Sequence, residues 1–220
     1  MKKKKGRSHA IPAALRGYVR TAGYYKGGSA GNELKFHDLD INDAGIAQGG
    51  TIAEDSCLTI AQGDGESERI GRKCTVKSVN WRFAITLPST GTQAATTDVV
   101  RVILYLDKQT NGATAGVTDI LESDDFQSFN NLANKSRFRT LLDRTYDMNV
   151  EGAGAGASWA SSAKTITDSF YLSCNLPIEY DNSATTGAIA TMRSNNIGVL
   201  LLSESGLCAF ESKMRVRFVG

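Results

Sequence analysis

The side chains able to do chemistry are few and poorly spaced for catalysis. Only two histidines occur in 220 residues, His9 and His37, and His9 lies in a run of lysines and arginines. A Ser-His-Asp or Cys-His relay would have to use His37, yet no G-x-S-x-G elbow or comparable cysteine context accompanies it. Asp38, Asp40 and Asn42 open like a calcium loop. Asp43 then stands where glycine is needed and Gly49 where a bidentate glutamate is needed, which excludes an EF-hand. A looser calcium site between subunits, drawing on Asp38, Asp40 and Asp43, stays open. The stretch Gly63, Asp64, Gly65, Glu66, Ser67 lacks the lysine and following helix of a phosphate cradle. Cys57, Cys74, Cys174 and Cys208 stand 17, 100 and 34 positions apart, so no C-x-x-C pair forms a zinc or redox motif. Buried thiols in a reducing compartment are expected. The reading is a non-enzyme with no cofactor and no resident metal.

The informative chemistry is cationic. Residues 1–35 hold nine basic groups and one acid, a net of +8, while the remaining 185 residues carry a net of −6. A basic segment on a mildly acidic body meets a polyanion. Tyr18, Tyr24 and Tyr25 lie among these cations, and aromatic faces stack on unpaired bases while Lys and Arg neutralise phosphates, which favours single-stranded nucleic acid over lipid. The candidate contacts are Lys2, Lys3, Lys4, Lys5, Arg7, Arg16, Tyr18, Arg20 and Lys26. The same lysine run reads equally as a nuclear-import signal or a solvated tail. No apolar run approaches the ~18 residues of a membrane span, and no apolar stretch follows the basic start as a signal peptide requires.

The elements that must position such groups are strands. Residues 1–32 show almost no apolar periodicity and read as a flexible basic arm, with one folded domain over 33–220. Thr75, Lys77, Val79, Trp81, Phe83, Ile85 and Leu87 share one parity and Ser78, Asn80, Arg82 and Thr86 the other, the period of a half-buried strand. Segment 98–107 is nearly continuous in aliphatic residues, as a central strand is. Further strands are expected over 138–148, 166–180, 197–203 and 210–218. The long segments 88–97, 109–137 and 150–165 read as loops, with a short helix over 119–133 on the spacing of Phe126, Phe129 and Leu132. The class is all-β, a sandwich or barrel with elaborate connections, and the Cys and Trp spacing fits an immunoglobulin domain poorly.

Five segments, ELKFHD at 33–38, IAQG at 60–63, ERIGRK at 68–73, RVILYLDKQTNG at 101–112 and NKSRF at 134–138, taken in order resemble capsid proteins of small circular single-stranded DNA viruses that encode a replication initiator, such as circoviruses and geminiviruses. The resemblance runs from about residue 33 to about 150. It implies a single eight-stranded jelly roll that assembles, about 60 copies at a time, into an icosahedral shell around single-stranded DNA. It also implies residence in the virion, with assembly in the host nucleus. In such a sandwich Lys213, Arg215 and Arg217 face away from Met214, Val216 and Phe218, and parity sets Arg137 and Arg139 opposite Phe138 and Leu142, and Arg82 opposite Trp81 and Phe83. The expectation is that all six cations share the outer face of one sheet, look into the lumen and hold phosphate. The competing expectation is that they pair with acids such as Asp143 or with a neighbouring subunit. A satellite-type RNA virus capsid and a cellular β-sandwich binding module are the alternative functions.

Overall fold

The computed structural model describes residues 33–88, 97–149, 164–181 and 185–220. The basic contacts expected at Lys2, Lys3, Lys4, Lys5, Arg7, Arg16, Tyr18, Arg20 and Lys26 lie outside them, as do most of the loops expected at 88–97 and 150–165. Among the described residues nine antiparallel strands form two sheets: β1 (Lys35–Asp43), β2 (Thr51–Glu54), β3 (Lys73–Leu87), β4 (Thr97–Asp107), β5 (Phe138–Asn149), β6 (Lys164–Tyr180), β7 (Met192–Ser194), β8 (Asn196–Ser203) and β9 (Ala209–Val219). The five-stranded sheet runs β1-β9-β3-β6-β7 and the four-stranded sheet β2-β8-β4-β5. With β7 set aside, a three-residue edge strand paired antiparallel with the end of β6, the order is that of an eight-stranded jelly roll. This topology also excludes the immunoglobulin alternative.

The core lies between the sheets. Trp81, Phe83 and Phe210 stack at its centre, with ring centroids 4.7 to 5.9 Å apart. Val100, Val102, Leu104, Val199 and Leu201 meet them from the four-stranded sheet. All six strands expected from periodicity are present, but two bulges overturn the assumed facing of side chains. In β3 the register slips between Val76 and Ser78. Val76 and Cys74 therefore turn into the core, and Thr75 and Lys77, expected inside, do not. In β5 the slip beside Leu104/Tyr105 makes Leu141 the extra residue. Leu142 consequently faces the inner core while Phe138 faces the opposite side of the sheet.

That opposite side is also apolar. Ile103, Tyr105, Leu200 and Leu202 form a second cluster with Phe138, covered by Ala115, Ile120 and Leu121 from the connection between β4 and β5. The helix expected over 119–133 is not formed. Only a four-residue α1 (Val117–Ile120) and a 3-10 turn (Leu132–Asn134) occur. Side chains compete for the intervening backbone: Gln127 N–H donates to Asp125 Oδ1 (2.8 Å), Ser123 N–H to Ser128 Oγ (2.8 Å), and a bridge joins Leu121 to Asn130. Phe129 and Leu132 stand 79% and 68% exposed, so their spacing is not that of a buried helical face. The cysteines are free thiols; Cys57, Cys74 and Cys208 are buried and Cys174 half-buried.

A buried carboxylate ties the start of β4 to the turn between β8 and β9. Asp98 accepts from Ser203 Oγ at 2.7 and 2.8 Å and from the N–H groups of Ser205 (2.9 Å) and Leu207 (3.2 Å). Burial alone would raise its pKa, but these bonds and one from Cys208 more than reverse that, and the net shift is downward. Its stabilising contribution is thus complete above the ordinary carboxyl range near pH 4 and lost as pH falls through the lowered value. Replacing Asp98 by Ala strands Ser203 and two N–H groups and is expected to cost about 3 kcal/mol at pH 7 by chemical denaturation. The deficit should shrink as pH falls through that lowered value.

Candidate nucleic-acid interface

Strand β9 alternates strictly, burying Phe210, Ser212, Met214, Val216 and Phe218 and exposing Glu211, Lys213, Arg215 and Arg217. Because β9 lies between β1 and β3, its register decides what each exposed cation meets. One row across the outer face of the five-stranded sheet reads Asp40, Lys213, Arg82, Ser169, and the next reads Asp38, Arg215, Asn80, Tyr171. Lys213 Nζ donates to both Asp40 oxygens (2.9 and 3.0 Å). Arg215 donates two parallel bonds to Asp38 (2.5 and 2.6 Å), and its guanidinium lies 5.1 Å from the centre of the Phe36 ring. The Arg215 hydrogen bond holds the Asp38 carboxyl below its usual pKa, and Asp38 in turn raises that of Arg215. Asp38 and Asp40, the opening of the rejected calcium loop, are thus spent on cations of β9.

Arg82 and Arg217 have no ion-pair partner among the described residues. The middle of the face sets Arg82, Lys213, Arg215 and Arg217 against Asp38, Asp40 and Glu211, so its net charge is small. The pairing expected as the competing outcome is present for Lys213 and Arg215, with Asp38 and Asp40 in the role assigned to Asp143. Tyr171, absent from the contacts expected from the sequence, is 65% exposed beside Asn80 and offers a ring to stack on a base. Its outward parity opposite Phe170 and Leu172 was the available signal. The concavity framed by Asp38, Asp40, Asn80, Arg82, Lys213 and Arg215 is open and polar.

Arg137 and Arg139 do not join this face, which corrects the six-cation expectation. Both belong to the β5 side of the other sheet. Arg137 holds Asp107 through two bonds (2.7 and 2.9 Å) and lies 4.7 Å from the centre of the Phe138 ring, closing the neck of the β4–β5 connection. Arg139 lies opposite Leu106, turned by the bulge toward the gap between the sheets. Asp143 is engaged by Arg101, also bidentate (2.6 and 2.7 Å). His37 is half-buried, contacts Thr59 Oγ1 at 3.3 Å, and has its pKa lowered by burial. Among the described residues no three metal-ligating side chains converge.

Comparison with known proteins gives three findings. A family model described as satellite tobacco necrosis virus coat protein matches residues 32–220. A coat protein of Maize white line mosaic Satellite virus is 30% identical over 165 residues, covering 73% of this chain and 69% of its own. A solved structure titled Desmodium yellow mottle tymovirus aligns over 88% of this chain and 91% of its own, at 10% identity and a TM-score of 0.34.

Two variants separate the roles of these cations. Asp38→Asn with Asp40→Asn frees Lys213 and Arg215, and single-stranded RNA should then bind the full chain more tightly at low salt. The slope of log K against log salt should steepen by about 1.4. An unchanged slope shows that this face takes no phosphate. Arg137→Ala, which abandons the buried Asp107, should cost about 3 kcal/mol in thermal or chemical unfolding and leave the salt slope alone.

Proposed function

The chain belongs to the satellite tobacco necrosis virus coat protein family, and from that premise we propose that it closes, in about 60 copies, into an icosahedral shell that packages the single-stranded RNA of a satellite virus. The family match replaces the assignment to circular single-stranded DNA viruses and keeps the capsid role that the resemblance implied. Assembly in the host nucleus, expected from the DNA assignment and the lysine run, gains no support from the family match. Of the functions held open by the sequence, the satellite-type RNA capsid is the one adopted.

The observation that carries the packaging step is where the charge lies relative to the matched region. The family model begins at residue 32, and the segment before it, residues 1–31, holds eight of the chain's cations and none of its acids. The folded domain is net acidic, and in the middle of the outer face of its five-stranded sheet two of the four cations are matched by β1 carboxylates. Phosphate neutralisation therefore falls chiefly to Lys2, Lys3, Lys4, Lys5, Arg7, Arg16, Arg20 and Lys26, with Tyr18 stacking. Arg82 and Arg217, with Lys213 and Arg215 when released, make a secondary contact. Sixty such segments would repel one another in a closed shell unless a polyanion screened them, so assembly and packaging are coupled. Contacts of this kind carry little base information, and the selection of one RNA over another does not reside in them.

The test is to express the full chain, purify it without nuclease, and sediment it. A fast-sedimenting particle with excess absorbance at 260 nm, whose extracted contents are degraded by RNase and not by DNase, is expected. Exchanging Lys2, Lys3, Lys4, Lys5 and Arg7 for Ser should cut RNA per particle by roughly half. A monomer or trimer free of nucleic acid across salt and pH overturns the reading in favour of a cellular binding module. DNase-sensitive contents overturn the choice of RNA.

A further inference from the structure

Strands β5 and β6 border the same side of the sandwich, one in each sheet. At one end they are clasped: Arg144 and Tyr146 both bond Asp168, and Lys164 Nζ donates to the Asp147 carbonyl at 3.1 Å. At the other end they gape. There Leu141, Leu172, Cys174 and Leu176 are only half-buried around a floor of Leu106 and Ile197, in a groove of about 260 Å³. The β5 bulge creates this opening by pushing out the extra Leu141 and turning Arg139 to its mouth. Arg139 has no carboxylate partner among the described residues. Asn175, which also lines the groove, accepts from Lys77 Nζ (2.8 Å) and brings no negative charge to it. The groove is thus apolar within and uncompensated positive at its edge.

A complementary surface stands on the same chain. The tip of the β4–β5 connection places Glu122 beside Phe129, with Glu122 N–H donating to the Phe129 carbonyl at 2.9 Å. It presents Phe129 and Leu132 to solvent, next to the exposed carboxylates Glu122, Asp124 and Asp125. None of these carboxylates has a cationic partner among the described residues. The tip is held in shape from below, since Arg101 donates to the carbonyls of Phe126 (3.0 Å) and Ser128 (2.6 Å), and Asn131 Nδ2 to that of Thr118 (2.9 Å). A preordered apolar projection with an acidic border loses little freedom on docking.

We propose that the β5–β6 groove of one copy receives the Phe129–Leu132 tip of a second copy, with Glu122 meeting Arg139. This rests on the shell reading above and specifies one of its contacts. The two patches differ, so the contact is heterologous, joining copies head to tail, and such contacts close rings and shells where an isologous pair stops at a dimer. Apolar burial supplies the attraction and the charge border sets the register.

Two measurements test it in the full chain. In assembled Phe129→Cys particles, copper-phenanthroline with dissolved oxygen should join the introduced thiol of one copy to Cys174 of the next, each thiol losing one proton and one electron to the oxidant. Non-reducing electrophoresis should show a ladder of dimers, trimers and higher species, which Cys174→Ser removes. In the second, Arg139→Glu should lower the assembled fraction about tenfold, and adding Glu122→Lys should restore it. A wild-type chain that fails to assemble overturns the shell reading and this contact with it. A wild-type chain that assembles, while Phe129→Cys gives no ladder or dimers alone and Arg139→Glu assembles normally, overturns this contact only.

Discussion

Strands β4 and β8 carry apolar side chains on both faces, so the four-stranded sheet has to be covered outside as well as packed inside. Val102, Leu104, Val199 and Leu201 face the inner core; Ile103, Tyr105, Leu200 and Leu202 face the other way. The long connection between β4 and β5 exists to meet that demand, laying Ala115, Ile120 and Leu121 over the second side. It is anchored by two arginines, one in the connection and one in the sheet beneath. Arg137 grips Asp107 at the neck, and Arg101 reaches from β4 to hold both Asp143 and the carbonyls under the tip. With that sheet committed on both faces, the outer face of the five-stranded sheet is the one left polar and exposed.

That face is balanced rather than strongly basic, and the balance comes from strand order. A jelly roll pairs its first strand with its last, which sets Asp38 against Arg215 and Asp40 against Lys213. Exposed pairs of this kind add little stability. Their effect is on recognition: a phosphate must displace a carboxylate already in place to reach either cation, whereas Arg82 and Arg217 are available at once.

The motifs that suggested a DNA-virus capsid have structural explanations. ELKFHD is the start of β1, with Lys35 buried against the Gly65 carbonyl and Asp38 on the sheet face. ERIGRK carries Arg69 into the interior, where it donates to the Ile60 carbonyl and lies over the Tyr180 ring at 4.1 Å. RVILYLDKQTNG is the doubly covered β4 with the turn that follows, and NKSRF supplies the Arg137 anchor. These residues serve the sandwich itself. They say nothing of whether a coat protein's nucleic acid is DNA or RNA.

Periodicity by itself determined six of the strands, the all-β class and the division between a +8 segment and an acidic remainder, because alternation and charge are local properties of the chain. Strands β1, β2 and β7 escaped it: β1 mixes acids into its outward positions, β2 is four residues long and nowhere fully buried, and β7 is three residues long. Tertiary structure alone decided which way the cations point. A bulge inserts one residue to suit the curvature of a paired strand, and each residue beyond it changes face, so the parity that correctly placed Lys213, Arg215 and Arg217 on straight β9 misplaced Lys77 on β3 and Arg139 on β5. Partners such as Asp38 for Arg215, 177 positions apart, follow from strand order and register, which are fixed by how two sheets close over one core.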